Sequence, residues 1–403
     1  MSVNSFTKHE PLIFKTGSNI KLIHRAEYYK SIIADGKELI TGDEYGEIRV
    51  PELKDPKVYI TFKEGITNFS DVFLGCTKLT SVPANLFASH PNATNFSGAF
   101  LRCSELTSVP EDLFANCPKA TDFSGTFHGC TALESIPEKL FANNPAVTSF
   151  TYTFALCKSL KYIQKNLFAN NPKVTSFYGT FWKCSALKSI PENLFANNPE
   201  VTNFAYTFID CSSLTTIPEN LFANNLEITS FNGTFYGCSA LTAIPEKLFA
   251  NNPAVTTFDG TFSGCKDLTE IPENLFANNP EVISFNATFI ICLALTAIPK
   301  NLFANNPKVT DFSETFEGCW ALKSIPSSLF DNNRKVTSFS ETFRGCTAFT
   351  GESPYTMIGD KKVHLYERVN YPDHFTEPTV FWDCFYDSTD MRDYIQAPDD
   401  WKE

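Results

Sequence analysis

The feature that most constrains the fold of this chain is a cysteine that returns every 27 residues. The period holds without insertion or deletion through eleven cysteines: Cys76, Cys103, Cys130, Cys157, Cys184, Cys211, Cys238, Cys265, Cys292, Cys319 and Cys346. Cys117 and Cys384 lie outside the series. Self-similarity at a fixed period of this size is typical of solenoids, in which stacked coils share one core. The 403 residues are therefore expected to form a repeat array rather than several globular domains.

Phenylalanine is the residue type that fills this predicted core. The chain has 39 Phe, and most of them recur in phase with the cysteines. Phe lies three and seven residues before each cysteine of the series, as Phe181 and Phe177 do before Cys184. A Leu-Phe pair follows ten and eleven residues after the cysteine, as in Leu194-Phe195. Each coil thus offers about eight apolar side chains, which stacking on the next coil buries.

Within one coil the sequence predicts two short strands, a short helix and a tight turn. Residues 187–190 (LKSI) are predicted to be a strand that ends before Pro191, because the residue before proline favours an extended backbone. Pro191 suits the first position of a short helix over PENLFAN, which Asn-Asn-Pro then ends. Residues 201–204 (VTNF) form the second predicted strand, and 207–211 (TFIDC) form the turn. Neighbouring coils are expected to pair in parallel, about 4.8 Å apart.

The repeat divides the chain into three predicted parts. Residues 67–349 are predicted to be the solenoid, an α/β repeat coil of eleven 27-residue units. Residues 1–66 are predicted to be an N-terminal cap, since an open sheet edge would otherwise pair with other chains. Residues 350–403 are predicted to be a divergent C-terminal cap with an appended hairpin. There Phe381-Trp382-Asp383-Cys384 repeats the F-x-x-C turn after an eleven-residue insertion.

Composition argues against several classes of partner. The net charge is −12 and no cluster of Lys or Arg reverses it locally, so nucleic acid is not expected as a partner. No stretch approaches the roughly 18 apolar residues of a membrane span, so membrane insertion is not expected. The N-terminal segment MSVNSFTKHEPLIFKTG has no apolar region of the length that a secretory signal needs. An export signal is therefore not expected in this sequence.

The pattern L-T-x-I-P-x-x-L-F followed by V-T-x-F-x-x-T-F-x-x-C resembles the leucine-rich repeats of the BspA-like, treponemal-type class. The likeness covers roughly residues 67–349, and its core is F-x-x-C-x-x-L. Each unit is about four residues longer than the ~23-residue repeat of that class, with the extra length in L-F-A-N-N. The resemblance implies a right-handed solenoid that is secreted or displayed on a cell surface and adheres to host or microbial ligands. The family offers no catalytic residues to carry over.

The cysteines and histidines are not expected to catalyse a reaction or to bind a metal ion. The in-phase cysteines are predicted to be reduced, buried fillers, with disulfides between adjacent coils as the alternative. His90 and Cys117 share one slot of consecutive coils, where the next coil has Asn144, but two ligands do not make a zinc site. The nearest third candidate, His128, belongs to a different part of the coil. Since the chain also has no nucleophile, zinc-protease or phosphate-loop motif, we predict a non-enzymatic protein without metal or cofactor.

The positions that the repeat leaves free are the candidates for recognition. Two residues before each cysteine the side chain varies widely, and nearby free positions hold tyrosines. Since equivalent positions stack, six side chains are expected to form one exposed ligand-binding patch: Tyr152, Tyr178, Trp182, Tyr206, Ile209 and Tyr236. The alternative is that some of these rings pack against the next turn and thicken the core. Trp320 is an isolated aromatic residue for which no role is predicted.

The sequence therefore predicts a recognition or adhesion protein that binds a protein or glycan ligand. A stacked frame is ordered before it meets a ligand, so it avoids the entropy that a flexible loop would lose on contact. The alternative is a structural or receptor-binding component of a phage tail or particle surface. Genomic neighbours, either a secretion system or tail genes, would separate these two hypotheses.

Overall fold

The computed structural model describes residues 10–39 and 46–402, so the first nine residues of the predicted N-terminal cap lie outside it. The chain divides into two compact units, Met1–Leu187 with Asn197–Glu200 and Lys188–Ala196 with Val201–Glu403. The strands are β1 (Leu12–Phe14), β2 (Gly17–Ile23), β3 (Tyr29–Ala34), β4 (Lys37–Glu38), β5 (Ile48–Leu53), β6 (Lys57–Phe62), β7 (Leu79–Ser81), β8 (Tyr355–Ile358) and β9 (Lys361–His364). The helical segments of the described residues are short 3-10 helices at Ala26–Tyr28, Leu365–Asn370, Tyr394–Gln396 and Asp399–Trp401.

The first unit begins with a five-stranded sheet of order β4-β3-β6-β1-β7, in which neighbouring strands are antiparallel. Strand β6 buries Val58, Ile60 and Phe62, the alternation expected of a sheet with one covered face. Strand β7 belongs to the first coil and pairs with β1, so the sheet continues directly into the coils. Strands β2 and β5 form a separate antiparallel pair.

Neighbouring coils pair in parallel, as predicted, but apart from β7 the predicted strands contract to at most one bridging residue each. In the V-T-x-F segment the bridge falls on the residue before Phe, as in Thr257 with Ser284 and Ser284 with Asp311. The L-T-x-I segment forms the same kind of bridge in some coils, such as Ser189 with Thr216. The bridged residues lie 27 positions apart, so the contacts follow the period of the sequence.

The phenylalanines form the core of both units. Phe100 and Phe127 stack at 5.4 Å between ring centroids in the first unit, and Phe316 and Phe343 stack at 5.8 Å in the second. These rings are almost completely buried. Since one coil cannot bury such rings alone, each coil depends on its neighbours for its stability.

The predicted short helix is wrong, because the PENLFAN segment forms consecutive tight turns. In the coil that begins at Pro272, the amide of Leu275 donates to Pro272 O (3.3 Å) and the amide of Asn279 donates to Phe276 O (3.2 Å). An α-helix would need these carbonyls to accept from amides four residues on. Instead, Asn306 of the next coil donates its side-chain amide to Phe276 O at 3.1 Å. Residue 280 is proline and has no N–H, so Phe276 O could not accept a helical bond, and Asn306 supplies a donor from the next coil instead.

Three kinds of buried polar side chain tie most coils to the one before, as the coil of Asn279, Thr288 and Cys292 shows. Thr288 Oγ1 donates to Phe258 O at 3.1 Å, and Cys292 Sγ lies 3.4 Å from Phe262 O. Asn279 Nδ2 donates both to Phe249 O (3.1 Å) and to Asn252 O (2.8 Å). The sequence predicts that the Asn-Asn pair ends a helix. In the structure, the second asparagine of the pair instead links its coil to the preceding one.

The C-terminal part of the second unit continues the stack in a different register from the one predicted. Ser338 forms the parallel bridge with Val380, and Phe385 stacks on Phe343 at 6.0 Å. Ser388 Oγ donates to Phe343 O at 2.8 Å, which is the bond that the thiol of Cys346 makes to Phe316 O in the preceding coil. Ser388, rather than Cys384, therefore takes the place of the periodic cysteine. The predicted F-x-x-C match at 381–384 is out of register because the insertion lengthens this coil.

Arg368 ends the row of buried asparagines. Its side chain is almost completely buried, and Nη1 and Nη2 donate to Asn333 O (3.0 Å) and Phe330 O (2.9 Å). In earlier coils an asparagine of the next coil donates to these two carbonyls. Arg368 thus supplies the donors that a further coil would have supplied. Strands β8 and β9, which form a hairpin, lie immediately before this residue.

Candidate binding surface

Every coil of the stack has two backbone positions in the left-handed region. We call the residue five places before each cysteine of the series the first slot, and the residue immediately before the cysteine the second slot. The first slot is occupied in the first unit by Asp71, Gly98, Gly125, Tyr152 and Gly179, and in the second unit by Tyr206, Gly233, Gly260, Ala287, Glu314 and Glu341. Their φ angles lie between 51° and 62°. Glycine adopts this conformation without strain, whereas a side chain costs about 1–2 kcal/mol.

Two of the predicted patch residues, Tyr152 and Tyr206, occupy first slots. Their φ angles are 54° and 57°, which is rare for a bulky residue. Each ring packs flat against the glycine of the next first slot. A Cβ on Gly179 would clash with Cε1 of Tyr152, and a Cβ on Gly233 would clash with Cδ1 of Tyr206. Each tyrosine therefore requires a glycine beside it.

The structure brings three of the predicted patch residues together in the first unit. The ring of Tyr152 lies 5.2 Å from that of Tyr178 and 5.7 Å from that of Trp182. His128, which was not part of the predicted patch, joins them at 6.2 Å from Tyr152 and 6.4 Å from Trp182. All four side chains are half-buried. We call these four residues the aromatic cluster.

The electrostatics of the aromatic cluster are those of a neutral surface with a cation at its border. Burial, followed by the charge of Arg102, lowers the pKa of His128, so its ring is uncharged at neutral pH. Lys183 Nζ lies over the Trp182 ring, 5.3 Å from its centroid. The indole Nε1 of Trp182 is buried without a hydrogen-bond partner. The cluster thus combines rings in edge-to-face and tilted contact with a nearby positive charge.

The other three predicted residues lie in the second unit. Tyr206 and Ile209 are half-buried, and Tyr236 is 43% exposed. The amide of Ile209 donates to Tyr206 O at 3.3 Å within one turn. The alternative prediction, that some rings pack against the neighbouring turn, describes the Tyr206 ring against Gly233 well.

The residues considered for metal binding are used inside the fold. His90 Nε2 lies 2.8 Å from Lys63 O and its Nδ1 lies 2.9 Å from Ser89 Oγ. The thiol of Cys117 lies 3.7 Å from His90 O. Both residues therefore occupy the position of the linking asparagines and contact the same kind of carbonyl. Among residues 10–39 and 46–402, no three His, Cys, Asp or Glu side chains are arranged to hold a metal ion.

The cysteines are buried free thiols in the structure. Burial raises the pKa of Cys76 and of Cys319 to about 12. A nucleophilic cysteine needs the thiolate form and access to a substrate, and these thiols have neither. They fill space and contact the carbonyls of the preceding coil, as Cys319 does at Phe289 O.

One group in the C-terminal part contains the residue types of a hydrolase triad but not its arrangement. Ser353 Oγ lies 2.7 Å from His364 Nδ1, and it donates to Asp393 Oδ2 at 2.5 Å. In a catalytic triad the histidine lies between the serine and the carboxylate. Here the carboxylate binds the serine directly, and Ser353 is completely buried. This group holds the β8–β9 hairpin against the end of the chain.

Comparison with known proteins gives the family. The model of the BspA type leucine-rich repeat region matches residues 59–202 and 107–342, with six copies, which is well over half of the chain. No curated protein matches the chain. In the described part of the chain no helix is long and apolar enough to cross a membrane.

Solved structures that resemble this chain contain leucine-rich repeats, at low identity. The Toll–Spätzle complex of Drosophila matches with 19% identity and a TM-score of 0.41, covering 64% of this chain and 37% of the Toll–Spätzle chain. The chain thus spans little more than a third of that protein. A leucine-rich cell surface protein of Faecalibacterium prausnitzii matches with 17% identity and a TM-score of 0.30, covering 72% and 89% of the two chains. The matched model and the stacked coils agree: this chain is a solenoid of the BspA-type leucine-rich repeat family.

Proposed function

We propose that this chain is a non-enzymatic recognition or adhesion protein that binds a protein or glycan ligand on a host or microbial surface. The family and its stacked coils support a binding role. The residues proposed to contact the ligand are Tyr152, Tyr178 and Trp182 in the first unit, and Tyr206, Ile209 and Tyr236 in the second. The aromatic cluster of the first unit is the part for which the geometry argues most strongly.

The observation that carries the proposal is the backbone strain at Tyr152. The same slot holds glycine at Gly98, Gly125 and Gly179, where the conformation costs nothing. A tyrosine with φ of 54° is unfavourable by about 1–2 kcal/mol. Strained residues of this kind concentrate at functional sites, where the strain is part of how a side chain is presented. We infer that Tyr152 is retained because its ring contributes to ligand binding.

The aromatic cluster has the properties of a binding hot spot. Tyr and Trp rings supply large contact area, and they carry much of the energy at protein interfaces. The ring of Tyr152 is held between Gly179 and the rings of Tyr178 and Trp182, so little side-chain freedom is lost on binding. Aromatic faces also stack on sugar rings, so both protein and glycan ligands suit this surface.

The finer architecture proposed with this function is a right-handed coil of eleven 27-residue units over 67–349. Residues 1–66 and 350–403 are proposed as its caps. The family resemblance supports secretion or display at the cell surface as its location. This arrangement would present the variable slots to a ligand on a frame that is already ordered.

The experiment compares the wild-type chain with Tyr152→Gly on a glycan array and on an array of extracellular-matrix proteins. Glycine suits the first slot, so relief of strain offsets the lost ring contacts and the free energy of unfolding should change by less than about 1 kcal/mol. Loss of a hot-spot ring should weaken binding at least about tenfold. The variant thus separates binding from folding.

The matched control is Ala287→Gly, which makes the same change in a first slot without an aromatic side chain. It should bind as the wild type does. Trp182→Phe is the second variant, which keeps a ring but removes the buried, unpartnered indole N–H. The proposal is wrong if neither array binds the wild-type chain, or if Tyr152→Gly binds the array ligand as tightly as Ala287→Gly.

A further inference from the structure

A second aromatic surface lies in the last coils of the second unit, far along the sequence from the aromatic cluster. A groove of about 260 Å³ is lined by Glu317, Gly318, Trp320, Arg344, Gly345, Tyr386 and Asp387. Trp320 is 60% exposed and Tyr386 is 44% exposed. Both rings line the same groove, so they form an exposed aromatic patch rather than isolated exposed side chains.

The floor of the groove is made of glycine. Gly318 and Gly345 occupy second slots in successive coils, with φ angles of 68° and 69°. The indole Nε1 of Trp320 lies 3.8 Å from the position that a Cβ on Gly345 would take. The indole therefore stands beside a floor without side chains, and the groove has room for a side chain from another molecule.

The first slots beside this groove carry negative charge. Glu314 and Glu341 occupy first slots of successive coils, and Asp383, five residues before Ser388, takes the same position in the following coil, with φ angles of 57°, 54° and 58°. Glu317 and Asp387 add two more carboxylates on the lining of the groove. Burial, followed by the charges of Glu341 and Glu314, raises the pKa of Glu317. The carboxylates therefore repel one another, and an added cation would relieve that repulsion.

One cation already occupies part of this surface and shows the chemistry that it accepts. The guanidinium of Arg344 lies 4.9 Å from the centroid of the Tyr386 ring. It also pairs with Glu341 and, at 3.4 Å, with Asp383. Glu341 and Asp383 pair with this guanidinium, while Glu317 and Asp387 line the groove beside it, so the carboxylates at this surface outnumber Arg344. Arg344 lies over the Tyr386 ring, and the exposed indole of Trp320 lines the same groove beside Gly345.

We infer that this groove, which we call the acidic-aromatic groove, binds a lysine or arginine side chain on a protein partner. The ligand cation would lie against Trp320, with Glu317 and Asp387 as its ion-pair partners. Aromatic faces attract cations, and the attraction is stronger where the site is partly desolvated. Charge complementarity selects the partner, since an anionic groove favours a basic segment over a neutral glycan or an acidic protein. This site is separate from the aromatic cluster and does not depend on the ligand proposed for it.

The experiment measures binding of a trilysine peptide by isothermal titration calorimetry. The same peptide with acetylated lysines is its neutral twin. Trp320→Ala removes the ring, and Glu317→Gln removes one carboxylate while keeping the shape of the side chain. Each variant should weaken binding of trilysine about five- to tenfold, and the acetylated peptide should bind at least about tenfold more weakly than trilysine.

Matched controls distinguish the groove from the general negative charge of the chain. Tyr162→Ala removes a ring that is 53% exposed in the first unit, and Glu227→Gln removes an exposed carboxylate elsewhere in the second unit. Both should bind trilysine as the wild type does. Equal affinity for trilysine and its acetylated twin would instead indicate a groove for a neutral ligand such as a glycan, and would overturn the inference. It is equally overturned if trilysine does not bind, or if Trp320→Ala binds it no more weakly than Tyr162→Ala.

Discussion

The buried asparagines give the sharpest test of what holds the coils together. Asn279 is completely buried and donates to two carbonyls of the preceding coil, Phe249 O and Asn252 O, at 3.1 and 2.8 Å. Asn279→Ala removes both donors. Asn279→Asp keeps the size and shape of the side chain but directs carboxylate oxygens at the two carbonyls. Asn279→Ala therefore measures the loss of the two hydrogen bonds, whereas Asn279→Asp adds repulsion between the carboxylate and the two carbonyl oxygens.

The expected magnitudes follow from the partners that remain. Both carbonyls keep one backbone donor, because the amide of Asn252 donates to Phe249 O (3.2 Å) and that of Val255 donates to Asn252 O (3.3 Å). Asn279→Ala should therefore cost only the net value of two hydrogen bonds, about 2 kcal/mol. Asn279→Asp buries an unpaired charge among acceptors, so it should cost at least about 4 kcal/mol.

The assay is hydrogen exchange of the backbone amides, combined with denaturant unfolding. Exchange reports which coils open, which a single unfolding midpoint cannot do for a long repeat array. The neighbouring Asn278 is the control: it is exposed and donates once, to Ala250 O at 3.0 Å, so Asn278→Ala should cost no more than about 1 kcal/mol. If Asn279→Asp were no worse than Asn279→Ala, or if Asn278→Ala cost as much as Asn279→Ala, the asparagines would not hold the coils by donation.

Two further predictions concern the end of the second unit. Arg368→Met should accelerate amide exchange in the last coil, around Asn333, because that coil loses the donors of Arg368. The coil at Asn252 should exchange at the wild-type rate. Equal acceleration in both coils would contradict this prediction. The pKa of Glu317 is raised in the folded chain. Between the usual and the raised carboxyl pKa, the folded chain therefore binds more protons than the unfolded chain. The contribution of Glu317 to the free energy of unfolding falls as the pH rises through that window. Thermal melts should therefore show Glu317→Gln gaining on the wild type as the pH rises above the usual carboxyl pKa, whereas Glu227→Gln should show no such trend.

The period predicts which residues meet, because equivalent residues of stacked coils lie against one another. The apolar core and the parallel contacts follow directly from it. The period does not give backbone angles, so the segment from Pro272 to Asn279 matches a helix by its residue types although it forms turns. The sequence does carry a signal for the two left-handed slots, since glycine recurs at both, as at Gly233 and Gly237. That recurrence alone marks Tyr152 as a bulky residue in a position that favours glycine.

The acidic-aromatic groove could not be predicted from the period. Tyr386 follows Arg344 in the same position of the next coil, since the amide of Gly345 donates to Tyr386 O just as the amide of Gly318 donates to Arg344 O. The insertion between these coils separates the two residues by 42 positions instead of 27. The F-x-x-C motif predicts that Cys384 takes the position of the periodic cysteine, but Ser388 occupies that position. Only the hydrogen bonds between coils show that Trp320, Arg344 and Tyr386 share one surface.

A comparison of magnitudes explains how one chain supports both a regular frame and strained recognition residues. In the coil containing Asn279, Thr288 and Cys292, three buried side chains donate to backbone carbonyls: Asn279 donates twice, the single O–H of Thr288 is shared between Phe258 O and Phe285 O, and the thiol donates once. At about 1 kcal/mol for each neutral hydrogen bond, with the thiol weaker, these contribute about 3 kcal/mol. A side chain in a left-handed slot costs about 1–2 kcal/mol. Because the linking bonds outweigh the strain, a first slot can hold Tyr152 or Glu314 without loss of the coil. Variation is thus tolerated at the positions where a ligand would make contact, and the energetic reason lies in side chains that never reach the surface.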